Sequence, residues 1–555
     1  MLTSLAGRIA IVTGGSSGIG REACLALGAR GGHVVAVGRD PQRLAETAEL
    51  VRARGGTAEW MSLDVRSEAD MQAMAARVLA AHGRIDILVA SAGILRAPGA
   101  ALRTVAQTPV RDWDEVAAVN LRGTFLSNRA VLPAMIRQRS GDIINLSSLS
   151  GRVGIAFDAP YCASKFGVIG LSEALAEEVG PLGVRVQSVL PGTFLTPVWS
   201  QTGPLPRPEG LPPASRVAEL IATMVLLPRD THLGAVMIEP VLPPARTGWR
   251  QGAEASRRAA AVNRRSLTVS ESPDRVKPIQ EQRLMSHSTP GGTGRLDGRV
   301  VIVTGGTGGI GRATARAAAV EGASIVAVDV AQPSVDELVE ELGRIAPVPA
   351  GHLGLAVDIR DEAACEGMAQ ATLERFGKID ALVACAGILR KRGTPPKPVV
   401  KTGLDEWEEV LAVNLRGTFL CNRAVLPSMI ARRSGTIINI SSVSGLKGRA
   451  HDAPYCASKF GVIGLSQSVA DEVRSYGIRV QAIMPEAIAT PMWDQNHPMP
   501  PPGDALPPER VADLILFMLT QPEDTMLVGP VIAPVGARRR RLASAGSAAE
   551  QPTTA

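Results

Sequence analysis

Short runs of apolar residues alternate with longer stretches of helical character in two separate parts of the chain. The runs are rich in Val and Ile and do not alternate strictly with polar residues, which is typical of strands buried on both faces of a parallel sheet. The pattern predicts an α/β fold in which each part forms a doubly wound parallel sheet. The predicted strands of the first part are residues 9–13, 34–37, 85–90, 143–147, 184–190 and 235–238.

The second part of the chain repeats the first. Thr13 recurs as Thr304, an offset of 291, whereas Asp86 recurs as Asp380 with an offset of 294. A repeat of this length indicates gene duplication or fusion, because the repeats of solenoids are far shorter. We predict one domain over residues 1–246 and a second over 295–537, each large enough to bury its own core.

Residues 247–294 break this pattern. They are rich in Arg, Ser, Ala and Gln, and we predict a flexible linker there. Residues 538–555 begin with a run of arginines and predict a disordered basic tail. Because basic residues are crowded into the linker and tail, the formal charge of +6 indicates solvated segments, and we expect no nucleic-acid partner.

The six cysteines form no C-x-x-C pair, so we expect neither a metal site nor a disulfide framework. The sequence does not start with a signal peptide, and no apolar run is long enough to span a bilayer. We therefore expect a cytoplasmic protein with no membrane partner.

A glycine-rich turn follows the first strand of each half. Glycines let the backbone approach a phosphate, and the N-terminus of the next helix offers free N–H groups and a positive dipole. We predict a dinucleotide cradle in each half. Its residues are Gly14, Ser16, Ser17, Gly18, Ile19 and Gly20 in the first half, and Gly305, Thr307, Gly308, Gly309, Ile310 and Gly311 in the second.

The two halves differ at the end of the second strand. Arg39 follows a glycine in the first half, where its guanidinium suits the 2′-phosphate of NADP. Asp329 occupies the register of Gly38 in the second half, where a carboxylate can hydrogen-bond the ribose hydroxyls of NAD. We predict NADP for the first half and NAD for the second; the alternative is that both are surface residues without this role.

The string DAPYCASKFGVIGLS occurs twice, in a chain with three tyrosines. It places Tyr161 one helical turn before Lys165, and Tyr455 one turn before Lys459. A nearby ammonium can lower the pKa of a phenol, so the pair predicts a general acid/base for an alcohol or carbonyl group.

Polar residues also recur upstream of each tyrosine. Ser148 and Ser442 end a predicted strand thirteen residues before their tyrosines. A serine hydroxyl there can hold a substrate oxygen. Asn120 and Asn414 recur further upstream, and an asparagine can anchor water that connects the lysine to solvent.

With these motifs in this order, each half resembles the short-chain dehydrogenase/reductase family. The resemblance implies an Asn-Ser-Tyr-Lys tetrad in each Rossmann-type half, in which Tyr exchanges the proton, Ser positions the substrate, and Lys lowers the tyrosine pKa and binds the nicotinamide ribose. It implies that Asp64 and Asp358 contact adenine, and that Pro191, Gly192 and Thr196 hold the nicotinamide end, as do Pro485 and Thr490 in the second half.

The sequence departs from the family pattern at two places. The family's Asn-Asn-Ala-Gly is Ala-Ser-Ala-Gly ending at Gly93, and Ala-Cys-Ala-Gly ending at Gly387. Glycine remains for close approach, but the asparagine side chains are missing. The second half also has Glu486 where the first has Gly192, and a glutamate there can hinder the cofactor or touch the substrate.

The resemblance implies an NAD(P)-dependent oxidoreductase that interconverts a small-molecule secondary alcohol and ketone at two tandem sites. One alternative is that only the first half is catalytic and the second is a cofactor-binding pseudo-enzyme. Another is that the two sites act in sequence on one substrate as a redox-coupled epimerase.

Residues 120–136 and 414–430 are nearly identical, beyond what catalysis requires. An isologous contact presents like surfaces to each other, so we predict that the halves dock within one chain as a pseudo-dimer through these helices and the Tyr-x-x-x-Lys helices. Two such chains are expected to form a homodimer. Recent duplication is the alternative explanation of the likeness.

Overall fold

The computed structural model describes residues 4–201, 210–229, 231–239, 294–496, 502–522 and 525–534. The predicted linker, apart from Gly294, and the predicted tail lie outside these residues. Within the described ranges, no helix is both long and apolar enough to cross a membrane.

The first half is built on a seven-stranded parallel sheet of order β3-β2-β1-β4-β5-β6-β7. Its strands are β1 (Ile9–Thr13), β2 (His33–Gly38), β3 (Thr57–Ser62), β4 (Ile87–Ala90), β5 (Gly141–Leu146), β6 (Val184–Pro191) and β7 (Ala235–Ile238). Its α-helices are α1 (Gly18–Gly28), α2 (Pro41–Ala53), α3 (Glu68–His82), α4 (Val110–Ala117), α5 (Gly123–Gln138), α6 (Ala159–Val179) and α7 (Ser215–Leu226).

The second half repeats this topology with the order β10-β9-β8-β11-β12-β13-β14. Its strands are β8 (Val300–Thr304), β9 (Ser324–Asp329), β10 (Leu353–Ala356), β11 (Ala381–Ala384), β12 (Gly435–Ile440), β13 (Ile478–Pro485) and β14 (Val531–Ile532). Its α-helices are α8 (Gly309–Val320), α9 (Gln332–Ile345), α10 (Glu362–Phe376), α11 (Leu404–Leu411), α12 (Thr418–Arg432), α13 (Ala453–Val473) and α14 (Pro508–Leu519).

The α/β fold predicted from the hydrophobic pattern is confirmed, and the six predicted strands agree with observed ones to within two residues. The apolar runs did not reveal β3. This strand lies at the edge of the sheet, so half of its side chains face away from the core, and Thr57 and Trp60 are exposed. An edge strand with polar residues lacks the continuous apolar run of a central strand.

In each half the chain leaves the first strand in one direction across the sheet and later returns to its other side. β1 therefore lies between β2 and β4, and β8 lies between β9 and β11. A crevice opens at the carboxyl ends of the strands where the strand order reverses in this way. The glycine-rich turns begin at this edge.

The two halves dock through the helices that the repeated segments predicted. α6 lies against α13 along their lengths. Trp113 stacks on Phe419 at 4.2 Å, and Phe125 stacks on Trp407 at the same distance. Both phenylalanines are fully buried, and one apolar core runs through both halves. Docking within the chain is thus confirmed.

Glycines allow the close approach of α6 and α13. A Cβ atom added at Gly170 would lie 2.9 Å from the carbonyl oxygen of Cys456 and 2.6 Å from the ring of Phe460. At Gly464 it would lie 2.5 Å from the ring of Phe166. This packing accounts for agreement in the repeated string beyond its Tyr and Lys.

Candidate active sites

The glycine-rich turn of the first half lies against the end of β4. Gly14 has a φ of +72°, and a Cβ atom there would lie 2.8 Å from the backbone nitrogen of Ala92. A Cβ at Gly20 would lie 2.2 Å from the carbonyl oxygen of Gly14. Ser17 immediately precedes α1 and its side chain makes no capping hydrogen bond. The turn thus carries bare backbone beside a helix N-terminus, as a phosphate requires.

The second turn has the same close contacts. A Cβ at Gly311 would lie 2.0 Å from the oxygen of Gly305. At Gly309 it would lie 2.5 Å from the side chain of Thr490, which comes from the segment after β13. Thr196 lies beside Gly18 in the same way. The residues predicted to hold the phosphates and the nicotinamide end are therefore neighbours in each half.

The adenine end of the first half is basic. Arg39 is exposed after β2, and a Cβ at Gly38 would lie 3.5 Å from the hydroxyl of Ser16. The pKa of Asp64 is lowered, first by its hydrogen bonds with Arg66 and to a smaller extent by the charge of Arg39. Arg39 and Asp64 thus lie at one edge of the crevice.

An acidic side chain occupies the corresponding place in the second half. Asp329 ends β9, and its carboxylate accepts hydrogen bonds from the Thr307 hydroxyl at 2.5 Å and the Thr307 backbone N–H at 3.2 Å. The backbone N–H of Val330 donates to its other oxygen at 2.9 Å. Asp358 is bound by Arg360 at 2.6 Å.

The first predicted catalytic group is assembled between β5 and α6. The hydroxyl of Ser148 lies beside the phenol of Tyr161, where it acts to lower the pKa of the phenol. The Nζ atom of Lys165 lies 5.7 Å from the centre of the tyrosine ring and donates to the carbonyl oxygen of Leu146 at 2.8 Å. The lysine is 4% exposed.

The predicted catalytic group of the second half makes nearly the same contacts. The hydroxyl of Ser442 lies beside the phenol of Tyr455, where it acts to lower the pKa of the phenol. The Nζ atom of Lys459 lies 5.6 Å from the centre of the ring and donates to the carbonyl oxygen of Ile440 at 2.9 Å. Ser442 also lies 3.4 Å from the carbonyl oxygen of Pro485.

The expected depression of the tyrosine pKa is wrong for these side chains as they lie in the structure. Burial raises the pKa of both Tyr161 and Tyr455 to about 12, with only partial compensation by the serine hydroxyls. Burial also lowers the pKa of Lys165 and Lys459 to about 8. Desolvation disfavours the charged form of each group, and the neighbouring Cys162 and Asp158 raise the pKa of Tyr161 further. The resting phenol is neutral.

The predicted asparagines are buried and bind protein groups. Asn120 donates to the carbonyl oxygen of Ile94 at 2.9 Å and to the hydroxyl of Ser164 at 3.0 Å, and accepts from the Ile94 N–H at 2.8 Å. Asn414 makes the equivalent three bonds. These side chains hold the loop after the fourth strand, a role that the sequence did not indicate.

The glycine retained after the fourth strand lies over the lysine and asparagine. A Cβ at Gly93 would lie 3.3 Å from both the Lys165 Nζ and the Asn120 Oδ1. At Gly387 the corresponding distances are 3.4 Å and 3.2 Å. The requirement for glycine at this position is therefore steric.

Apart from Thr307 and Asn414, the predicted site residues of the second half line one cavity. Its volume is about 520 Å³, which is ample for a bound small molecule. The shared lining residues are Gly305, Gly308, Gly309, Ile310, Gly311, Asp329, Asp358, Gly387, Ser442, Tyr455, Lys459, Pro485 and Thr490.

These side chains fit a nicotinamide dinucleotide. Bare backbone of the glycine-rich turn, where a Cβ atom would clash, lines the cavity together with the carboxylate of Asp329. Tyr455, in the first turn of α13, and Ser442 line the same cavity. The cavity therefore contains both the predicted phosphate cradle and the predicted acid/base.

Both halves have a carboxylate near the predicted nicotinamide end, but it comes from a different strand in each half. Glu486 lines the second cavity at the position of Gly192. In the first half, Glu239 extends from the end of β7, and its Cγ atom lies 3.1 Å from where a Cβ of Gly192 would be. The residue of the second half in register with Glu239 is Ala533. The sequence showed Glu486 as a departure but not this exchange.

Sequence reasoning missed an ion pair beside each tyrosine. Arg96, on the loop after β4, binds Asp158 at the start of α6, and Arg390 binds Asp452 in the same way. The available signal was the repeat of Ala-Gly-Ile-Leu-Arg in both halves.

One group of metal-ligand type lies away from both sites, at the sheet edge of the first half. A carboxylate oxygen of Glu59 lies 2.8 Å from the Nε2 atom of His82, within hydrogen-bond distance. The Nε2 atom of His33 lies 3.5 Å from the same oxygen. These contacts are those of a hydrogen-bonded surface cluster, and the predicted absence of a metal stays a prediction.

Comparisons with known proteins follow the same division of the chain. Residues 8–204 and 299–500 match the family model described as short chain dehydrogenase. The 3-oxoacyl-[acyl-carrier-protein] reductase FabG of Thermotoga maritima is 35% identical over 250 residues, covering 43% of this chain and 96% of that protein. A solved metagenomic short-chain oxidoreductase in complex with NADP is 34% identical, covers 43% of this chain and 99% of that one, and has a TM-score of 0.38.

A longer relative matches both halves together. The peroxisomal hydratase-dehydrogenase-epimerase of Neurospora crassa is 28% identical over 519 residues, which cover 87% of this chain and 54% of that protein. The chain thus spans about half the length of this curated relative. Since the family model alone accounts for most of both repeated halves, the protein belongs to the short-chain dehydrogenase/reductase family and is an oxidoreductase of hydroxyl and carbonyl groups with two such units in tandem.

Proposed function

We propose that the protein interconverts a secondary alcohol and a ketone with NAD(P) at two sites of one design, each with a tyrosine as the general acid/base. The observation that carries this proposal is the single cavity of the second half, which joins the glycine-rich turn to Ser442, Tyr455 and Lys459. The first half supports the same chemistry, because Ser148, Tyr161 and Lys165 have matching contacts.

In this mechanism a bound NAD(P) supplies or accepts the hydride. Ser442 holds the substrate oxygen beside the phenol of Tyr455. Because the pKa of this phenol is about 12, it carries its proton at neutral pH and is suited to protonate the oxygen of a ketone that is being reduced. Lys459 has a pKa of about 8, so it can hold or release a proton near neutral pH behind the phenol.

We assign catalysis to both halves and favour this over a second half that only binds cofactor. The second half keeps Ser442, Tyr455 and Lys459 around one cavity. Glu486 also lines that cavity, but a carboxylate has a spatial counterpart in Glu239 of the first half, so its presence is no argument against activity.

We further propose NADP for the first half and NAD for the second. Asp329 supports NAD, because its carboxylate is held at the mouth of the cavity by Thr307 and would repel a 2′-phosphate. Arg39 supports NADP, since its guanidinium is exposed and the preceding Gly38 has no side chain that could repel a phosphate. We propose that Asp64 and Asp358 contact the adenine, as the family resemblance implies.

Redox-coupled epimerisation is a second candidate. It is favoured by the printed name of the Neurospora crassa relative, whose match extends over both halves, and by the different residues at positions 38 and 329. A single-enantiomer alcohol, incubated with NAD⁺ and NADPH, would lose optical purity while one NADPH is oxidised for each NAD⁺ that is reduced. Retention of full optical purity with every alcohol that the enzyme turns over would exclude it.

Phenylalanine substitutions in the full-length chain test the main proposal. Alcohols and ketones are screened by the absorbance of the reduced nicotinamide, and Tyr161→Phe and Tyr455→Phe are compared singly and together. We expect the double variant to lose turnover by at least about a thousandfold while it still binds cofactor. Tyr476→Phe is the matched control, because this third tyrosine packs against Arg433 away from both sites. Full activity of the double variant would refute the assignment.

Assembly of two chains into a homodimer and a cytoplasmic location remain proposals. The described cysteines form no disulfides, which is consistent with a reducing compartment. Sedimentation equilibrium of the full-length chain tests the dimer, and a mass equal to one chain at all concentrations would reject it.

A further inference from the structure

The segment between the serine and the tyrosine of each site lies on a helix of the other half. In the first half this segment runs from Ser148 to Tyr161. Gly154 packs directly on α13, where an added Cβ atom would lie 2.4 Å from the backbone nitrogen of Ser468. The N–H of Gly154 donates to the side chain of Gln467 at 2.9 Å.

Two further contacts reach the same segment from α13. The hydroxyl of Ser468 donates to the carbonyl oxygen of Ile155. Glu472, one turn further along α13, lies beside the backbone N–H of Phe157, which helps to hold the charge of the carboxylate. Ser468 and Glu472 thus follow the segment along one face of the helix.

The contact with α13 includes Phe157, whose backbone conformation is strained. Its φ is +67°, a left-handed conformation that costs free energy in a residue with a side chain. It precedes Asp158, which is bound by Arg96, and then α6 with Tyr161 in its first turn. A strained residue persists only where its surroundings hold it, and the surroundings here include the other half.

Glu472 also binds a second loop of the first site. Its Oε1 atom accepts a hydrogen bond from the backbone N–H of Val105 at 2.6 Å. Val105 ends the loop that follows β4 and that Asn120 holds at Ile94. Glu472 is 5% exposed, and its Oε2 atom has no hydrogen-bond partner of good geometry among the described residues.

The reciprocal contacts exist at the second site. Glu178 of α6 accepts from the backbone N–H of Val399 at 2.8 Å and lies beside His451, whose φ is +66°. Glu173 accepts from the N–H of Gly448 at 2.9 Å. His451 holds the same place before Tyr455 that Phe157 holds before Tyr161.

We propose that Glu472 and Glu178 are positioning residues that act across the joint, each setting the loops around the tyrosine of the other half. The inference rests on the proposed role of the two tyrosines. Each site is then complete only when the opposite half is docked, and the second half is needed for turnover at the first even when its own site is disabled.

Burial keeps the carboxyl group of Glu472 largely neutral near pH 7. Its pKa is raised to about 8, first by burial and to a smaller extent by Asp471, while the N–H groups of Val105 and Phe157 oppose the shift. A glutamine side chain has nearly the same shape as a neutral carboxyl group and keeps the accepting oxygen. Glu472→Gln is therefore the conservative variant, and Glu472→Ala removes the acceptor.

The test uses the full-length chain with one site disabled. In the Tyr455→Phe background only the first site turns over, and we expect Glu472→Ala to lower its kcat by about tenfold to a hundredfold, with cofactor affinity unchanged. Glu472→Gln should restore kcat to within about threefold of the background. The Tyr161→Phe background isolates the second site. There Glu472→Ala should have little effect on kcat, whereas Glu178→Ala should lower kcat.

Ser468→Ala serves as a milder second variant, since it removes one hydroxyl and leaves the packing of α13. It should lower turnover at the first site only. Equal losses at both sites, or none from Glu472→Ala and Ser468→Ala in a folded protein, would overturn the inference. If the tyrosine variants themselves leave turnover intact, the proposed function fails instead, so the two failures can be told apart.

Discussion

Trp113 of the first half stacks on Phe419 of the second, with ring centres 4.2 Å apart and planes tilted by 9°. The pseudo-twofold counterpart, Phe125 on Trp407, has nearly the same geometry at 4.2 Å and 8°. Offset aromatic pairs of this kind stabilise an interface beyond the area they bury. The halves are therefore joined by a core and not merely by their connecting segment.

Removing one ring of this pair should destabilise the whole chain. We expect Phe419→Ala to lower the free energy of unfolding by about 3 to 5 kcal/mol, because the side chain is fully buried and leaves a cavity. Thermal unfolding of the full-length chain measures this. Phe517→Ala is the matched control, since that ring is 49% exposed on α14, and an equal loss from both variants would contradict the role of the stack.

Cofactor choice should follow the residue at the end of the second strand. Replacing Asp329 by Gly and Val330 by Arg should shift the second site from NAD toward NADP, because the repulsive carboxylate is lost and a guanidinium is added. We expect a change of at least about a hundredfold in the ratio of kcat/KM for the two cofactors, measured in the Tyr161→Phe background, where only the second site turns over. Arg375→Gln is the control, as this residue of α10 binds the carbonyl oxygen of Ala350 and does not line the cavity. An unchanged ratio would reject the assignment.

The exchanged carboxylates should affect the redox state of the cofactor that is bound. The nicotinamide ring is cationic when oxidised, so a carboxylate beside it favours the oxidised form. Glu486→Gln should weaken binding of the oxidised cofactor relative to the reduced one by about threefold to tenfold at the second site. Fluorescence titration with both forms measures this. Glu509→Gln, on the exposed side of α14, should leave the ratio unchanged.

The buried glutamate of α13 should make stability depend on pH. The pKa of Glu472 is about 8 in the folded chain, above its ordinary value of 4.5, so the folded state binds the proton more tightly. Its contribution is fully present below about pH 4.5 and is lost as pH rises through about 8. The expected loss is on the order of a few kcal/mol.

Unfolding of the wild-type chain and of Glu472→Gln at pH 5.5 and 8.5 checks this prediction. The variant cannot ionise at this position, so its stability should fall less between the two pH values. Glu178 also titrates in this range, with a pKa raised to about 7, and is present in both proteins, so the difference between them reports Glu472. Parallel curves for the two proteins would contradict the prediction.

Much of the fold and site was readable from local patterns. The Val- and Ile-rich runs predicted the central strands. Both faces of those strands are buried, so each strand is a continuous apolar run that is visible in the local sequence alone. The Tyr-x-x-x-Lys spacing and the glycine turns were visible for a similar reason: each lies within one helical turn or one loop. Even the docking of the halves was indicated, since a contact between like surfaces leaves like sequences, as around Phe125 and Phe419.

Tertiary structure alone decided what depends on distant residues. The pKa of Tyr161 is raised and not lowered, because the whole fold buries the phenol. Glu239 takes the place of Glu486 from a different strand, and Glu472 reaches Val105 from 367 positions along the chain. Sequence spacing determines which groups share a helix face or a turn, whereas burial and contacts between separate strands and halves arise only when the complete chain has packed.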